Sequence, residues 1–176
     1  MKPIERIDQA FLQLEFAIKL MNYVELGRLN KDEFDRDTLI ELERKNIRFG
    51  DNTFHTYDEL KNAAINNYLI TLGMSAIALE TSLQDAGINN NYADFSSKGQ
   101  LRALVYMIRC AFAHDMMTPC WKVDHCYQRI IELHLGVGKI SIDLRELNGM
   151  AFEDRHIGGI ETYYEIKNAV KSLIEA

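Results

Sequence analysis

Apolar residues in this chain keep one period up to a proline and a different one after it, and that switch restricts the fold more than any other feature. Ile4, Ile7, Phe11, Leu14, Ile18 and Met21 recur at steps of three and four, the repeat that lines up side chains on one face of an α-helix. Pro3 suits a first helical turn, where a missing amide hydrogen costs nothing, and Gly27 suits a stop. Ile65, Leu69, Leu72, Ala76, Leu79 and Leu83 repeat the pattern until Gly87 and the Asn89-Asn90-Asn91 run break it. Leu101, Leu104, Val105, Ile108 and Phe112 form a third stripe, opened by a capping-box pattern of Ser97 with Gln100. Pro119 lacks an amide hydrogen and disfavours helical geometry at Thr118, so the third helix is predicted to end between Asp115 and Met117, with His114 in its last turn.

From Ile131 the period is two. Ile131, Leu133 and Leu135 alternate with Glu132 and His134, and Ile140, Ile142 and Leu144 alternate with Ser141 and Asp143. Gly136-Val137-Gly138 between them reads as the turn of a β-hairpin. Asn148-Gly149 predicts a further turn that returns a short third strand around Met150 to Glu153. Gly158-Gly159 then precedes a helical tail whose apolar face is Ile160, Tyr163, Tyr164, Ile166, Val170, Leu173 and Ile174. Asn30 to Thr56 mixes acids, Arg36, Arg44, Arg48 and the Gly50-Asp51-Asn52 turn signal, and reads as a partly helical connector. A chain of 176 residues has room for one core. The expected architecture is mainly α within the α+β class, a single domain with a helical bundle over 1–119, a β-hairpin region over 120–157 and a C-terminal helix over 158–176.

Three cysteines and a start, Met1 to Arg6, without the apolar run of a secretory signal point to a reducing cytoplasm rather than a disulfide scaffold. The weakly polar stretch Tyr68 to Leu79 is too short for a membrane span, so no transmembrane helix is expected. A formal charge of -6 argues against a chain built to coat nucleic acid, since nonspecific binding requires many phosphates to be neutralised. Any RNA contact must therefore be local. Between Asp94 and Lys122 the charges are Lys98, Arg102, Arg109 and Lys122 against Asp94 and Asp115, which makes this the less acidic region.

Within it, Arg109-Cys110-Ala111-Phe112-Ala113-His114 sets a permanent cation and a titratable imidazole near the end of an apolar helix. RNA carries its own nucleophile, the 2′-hydroxyl, so cleavage without metal needs one group to move protons and one cation to stabilise charge on the phosphate. Imidazole titrates near pH ~6.5, and guanidinium stays charged and can grip two phosphate oxygens. On an ideal helix five residues rotate two side chains by about 140° and separate them by roughly 7.5 Å, so Arg109 and His114 would not share a face. Arg129 to His134 repeats the spacing on a predicted strand, and Arg48 to His55 approximates it across a turn; only Arg109 and His114 fall at the end of a buried-looking helix.

With its flanks, Ala103 to Ile108 before and Asp115 to Pro119 after, this stretch resembles the R-x4-6-H signature of the higher eukaryotes and prokaryotes nucleotide-binding (HEPN) superfamily. The resemblance covers the motif helix and, more loosely, Pro3 to Pro119; it does not extend to the hairpin region. It implies a HEPN-like antiparallel helical bundle and a homodimeric, metal-independent endoribonuclease in a toxin, phage-defence or RNA-processing setting. Arg109 would hold the scissile phosphate and His114 would act as general acid or base, with no cofactor. RNA or a nucleotide and an antitoxin or other protein would be its partners. Family members with nuclease activity usually carry a polar residue, often Asn, after the Arg; here it is Cys110, and a noncatalytic nucleotide-binding or protein-interaction module stays open beside the enzyme.

Rival patterns are weaker. Cys110 and His114, four apart, fit a thiolate-imidazole pair or two metal ligands, and Cys120, His125 and Cys126 extend the group, but no C-x2-C pair of a structural zinc site occurs. Trp121 reads as an anchor between bundle and sheet rather than a base-stacking platform, and Tyr163-Tyr164 as core or interface. Gly158-Gly159 reads as a hinge more readily than as an anion site.

Overall fold

The computed structural model describes residues 1–43 and 45–176; Arg44, in the connector, lies outside the described residues. Helix α1 spans Pro3–Glu25 and a one-turn α2 spans Lys31–Phe34. Strands β1 (Thr38–Glu41) and β2 (Asn46–Phe49) precede α3 (Tyr57–Asp85) and α4 (Ser97–Ala111). Strands β3 (Ile130–Leu135) and β4 (Gly138–Asp143) are followed by α5 (Gly159–Glu175). The class is α+β, with two separate two-stranded antiparallel sheets among the described residues. No helix among the described residues is long and apolar enough to cross a membrane.

One contiguous cluster of buried side chains joins α1, α3, α4 and α5 to the inner face of β3 and β4. Ile7, Phe11 and Leu14 of the α1 stripe are fully inside, as are Leu72, Ala76, Leu79 and Leu83 of α3. Helix α3 starts a full two turns before its periodic stripe because Thr56 caps it: the threonine hydroxyl accepts the Glu59 amide at 3.2 Å, and the Glu59 carboxylate accepts the His55 amide at 2.7 Å. The period-two region folds as expected. Leu135 pairs with Gly138 and Ile131 with Ile142, which leaves Gly136-Val137 as a two-residue turn and turns Ile131, Leu133 and Ile142 inward. Helix α5 is tied across the bundle by Lys171, whose ammonium donates to the Asp8 carboxylate at 2.7 and 2.9 Å, and by a 2.9 Å hydrogen bond between the Tyr163 and Ser75 hydroxyls. Tyr163 stacks on Phe11 and is core.

Three expectations need correction. The connector is helical in part, over α2, but it also carries an unexpected strand pair: Thr38, Ile40, Ile47 and Phe49 lie in two short stretches that pair as β1 and β2 in register Ile40 with Ile47. The segment after Asn148-Gly149 does not join the hairpin as a third strand. It runs against the chain leaving α4, with Trp121 N donating to Met150 O at 2.8 Å and Phe152 N to Pro119 O at 2.9 Å, around a lone bridge between Cys120 and Ala151. The α4 cap is Ser96, one residue early, its hydroxyl accepting the Gly99 amide at 3.1 Å. Gln100 is spent elsewhere: its amide nitrogen donates to Phe95 O and its oxygen accepts from Glu132 N on β3.

Candidate functional site

Helix α4 lies in the middle of the molecule. In its second half only Tyr106, Arg109 and Cys110 keep contact with solvent; Ala103, Leu104, Val105, Met107 and Ile108 are buried on every other side. Its register against α3 is set by two contacts. Near the start, Arg102 grips Glu80 with both terminal nitrogens, Nη2 donating to Oε1 at 2.7 Å and Nη1 to Oε2, while its Nε donates to Ile88 O at 2.8 Å. Near the end, Phe112 presses on Gly73 so closely that a β-carbon there would stand 2.8 Å from the ring. The two helices are thus antiparallel. Arg109 follows Arg102 by two turns, which places it on nearly the same face of α4, at the level of Gly73 to Glu80 of α3.

The helix stops earlier than its sequence pattern implies. Ala111 O, which in a longer helix would accept the Asp115 amide, instead accepts Cys120 N at 3.0 Å, and Phe112 turns into the core against Phe152. A tertiary hydrogen bond therefore ends α4 at Ala111 and closes Phe112 to Pro119 into a compact loop. His114 lies in that loop, exposed, not in a last helical turn as predicted. The 140° separation of an ideal helix therefore no longer describes the pair, and among the described residues no hydrogen bond joins Arg109 to His114. The early stop also takes Cys110 and His114 off a common helical face.

The loop is held by Asp115. Its carboxylate accepts the Met117 amide at 2.8 Å, the Thr118 amide at 3.2 Å and the Thr118 hydroxyl at 2.6 Å. The Thr118 hydroxyl, with both amides, holds the Asp115 carboxyl below the usual carboxylate range. The acid next to the histidine is occupied by its own loop. Among the described residues neither Arg109 nor His114 enters an ion pair. Arg109 is half-buried in the last turn of α4, where a cation is favoured by the helix dipole.

Beside Arg109, burial pushes the Cys110 thiol up, outweighing the contacts with Tyr106 and Arg109 that pull it down. A thiol held protonated is the reverse of an activated nucleophile. The adjoining Cys110 sulfur pushes Tyr106 up to about 12, so this hydroxyl stays a neutral donor. No group of three or more His, Cys, Asp and Glu side chains converges to hold a metal among the described residues. Trp121 is fully buried, 5.1 Å from the Phe152 ring, and its indole nitrogen donates to His156 Nδ1 at 3.2 Å; it anchors the segment that returns beside α4. Gly158 and Gly159 both have φ near +90°, at 88° and 87°, the left-handed turn expected of a hinge.

Sequence reading missed the Glu80–Arg102 pair. The available signal was a charge of each sign standing inside an otherwise apolar stripe. It also missed Tyr106, one turn before Cys110 on the solvent-reaching edge. No family model, curated protein or solved structure matches the chain.

Proposed function

We propose that the chain is a metal-independent endoribonuclease of the HEPN type, acting as a homodimer, with Arg109 and His114 as its reacting side chains. The observation that carries the reading is that among the described residues neither side chain enters an ion pair, while Asp115 is engaged in its own loop and Glu80 with Arg102. An unpaired guanidinium at the rim of a buried helix is free to take two phosphate oxygens. An exposed imidazole on a clamped loop can exchange protons with water and substrate.

In the reaction, a base takes the proton of the 2′-hydroxyl, the 2′-oxygen attacks phosphorus, and the bond from phosphorus to the 5′-oxygen breaks as that oxygen is protonated. The products are a 2′,3′-cyclic phosphate and a free 5′-hydroxyl. One histidine per chain serves one proton transfer at a time, and a second copy would supply another. Incubation of purified protein with varied RNA, with end-group analysis of the products, tests the reading. Cyclic phosphate ends that vanish in Arg109→Ala and His114→Ala support it; intact RNA sinks it.

A noncatalytic module on the same scaffold is the second reading, favoured by the half-buried, protonated thiol of Cys110 beside the arginine and by the net charge of -6. Thermal stabilisation by a mononucleotide or by short RNA, without any product, decides for it.

A further inference from the structure

Two aromatic side chains stand in water on the loop between α3 and α4. Tyr92 is 58% exposed and Phe95 67% exposed, in a segment, Asn89 to Ser96, that is otherwise polar or small. Single exposed rings on a slack loop would call for no explanation, but this loop is braced. The Arg129 guanidinium reaches it from the residue before β3, Nη1 donating to Tyr92 O at 2.7 Å and Nη2 to Asp94 O at 3.3 Å. The same group lies 4.5 Å from the centre of the Phe95 ring. Within the loop, the Asp94 carboxylate accepts the Ser96 amide at 2.9 Å and Asn91 Oδ1 accepts the Ala93 amide at 3.0 Å. A cation stacked on one side of Phe95 leaves the opposite face of the ring to solvent.

The braced loop lies over the face of α4 that carries Arg109. Arg102, Tyr106 and Arg109 follow at steps of four and three and so share that face. Arg102 Nε donates to Ile88 O, where the loop leaves α3. Farther along, Tyr106 packs on Tyr127 with ring centres 5.4 Å apart, and the Tyr127 hydroxyl accepts from Asn90 Nδ2 at 2.6 Å. Contacts therefore run from the loop to the residue one turn before Arg109. From Ser96 to Arg109 the helix axis covers roughly 20 Å at ~1.5 Å per residue, the length of about six nucleotides stacked at ~3.4 Å.

Charge and aromaticity choose the occupant. A chain of net charge -6 cannot hold RNA by neutralising many phosphates, whereas stacking of bases on aromatic faces does not depend on net charge. Lys98, one turn beyond Phe95, and Arg109 at the far end enter no ion pair among the described residues, which leaves a cation near each end of the path. Asp124, whose charge reaches Tyr106, disfavours phosphates between them. A duplex presents phosphates at every step and hides its base faces, so only unpaired nucleotides suit this surface.

We infer that Tyr92 and Phe95 form a base-stacking subsite that holds unpaired nucleotides of an RNA strand while Arg109 takes a phosphate about six nucleotides away. The choice of RNA rests on the nuclease reading; the braced aromatic pair does not. Binding of a fluorescent ~12-nucleotide strand of mixed sequence, 2′-O-methylated so that it offers no nucleophile, reads the subsite apart from cleavage. The wild type is expected to bind this strand and not the same sequence in a duplex. Tyr92→Ala and Phe95→Ala are each expected to raise the dissociation constant ~10- to 100-fold, and Phe95→Trp to keep wild-type affinity. With cleavable RNA the alanine variants should raise KM and leave kcat within ~3-fold, the split of residues that position rather than react. Circular dichroism should be unchanged, since both side chains are exposed. A wild type that binds no single strand, or binds the duplex as well, overturns the inference. Alanine variants that bind as the wild type does overturn it too; cleavage by the wild type then still keeps the nuclease reading, and the aromatic pair is left to a protein partner. Affinity lost in the variants with no RNA cleaved by the wild type keeps the subsite and defeats the nuclease.

Discussion

Arg102 and Arg109 stand two turns apart on one face of α4, and their surroundings are opposite. Arg102 is 2% exposed, with each of its three guanidinium nitrogens donating to Glu80 or to the Ile88 carbonyl. Arg109 is half-buried, unpaired among the described residues, and beside a helix end where four carbonyls lack intrahelical donors. A cation that is fully satisfied inside a core positions helices and does nothing else. One left at the margin of the same core is stabilised by the helix dipole and still available to an anion. The comparison separates the structural arginine from the candidate catalytic one without reference to any motif.

The largest effect is expected at the buried pair, Glu80 and Arg102. Arg102→Met or Glu80→Gln alone leaves one group without its partner in the core and is expected to cost about 3 to 5 kcal/mol in urea unfolding. Replacing both with apolar residues should recover most of that loss; if each single variant loses under ~1 kcal/mol, the pair does not organise the fold. At the other arginine the pattern reverses. Arg109→Ala should lower RNA cleavage ~100- to 1000-fold and His114→Ala ~100- to 10,000-fold, each with stability within ~0.5 kcal/mol of the wild type. Melting curves that shift as far as those of Arg102→Met would make Arg109 a second structural arginine.

Gly73→Ala sharpens the register that places Arg109. The new methyl must displace the Phe112 ring, costing about 1 to 3 kcal/mol, and better helix propensity returns up to ~1 kcal/mol. Phe112→Leu in the same chain should relieve part of the loss. The smallest effect lies across the bundle at Asp8. The Lys171 ammonium holds its carboxyl below the usual carboxylate range. This contribution is complete above the unfolded-state value of ~3.9 and fades as the pH falls through the lower folded-state value. The pair is only half-buried and screened by solvent, so Asp8→Asn should cost a few tenths to ~1 kcal/mol at pH 7 and flatten stability against pH below about 4.

Period carried most of the fold. Helices α1, α3, α4 and α5, the β3–β4 hairpin and its turn all follow from apolar spacing, because a helix and a strand must each bury one continuous face. Where the spacing was overruled, a nonlocal hydrogen bond did it: Cys120 N takes the carbonyl of Ala111 and ends α4 four residues short of Asp115. The two strands of the connector went unread because Thr38–Glu41 and Asn46–Phe49 are too short for a period to show. At the candidate site the residue types were visible in the chain, the surroundings were not. Nothing in the sequence says that Asp115 turns to Thr118 rather than to His114, or that Glu80 seeks Arg102 rather than Arg109.

By itself the order of residues determined which segments are helical, where the hairpin turns, and that a guanidinium and an imidazole occur together at the end of a buried helix, since all of these follow from local spacing and side-chain chemistry. Only the tertiary structure decided which of two arginines is spent inside the core, where the helix ends, and which face of α1 and α3 stays uncovered. Those outcomes depend on partners distant in the chain, and a burial or a hydrogen bond exists only once the partner has arrived.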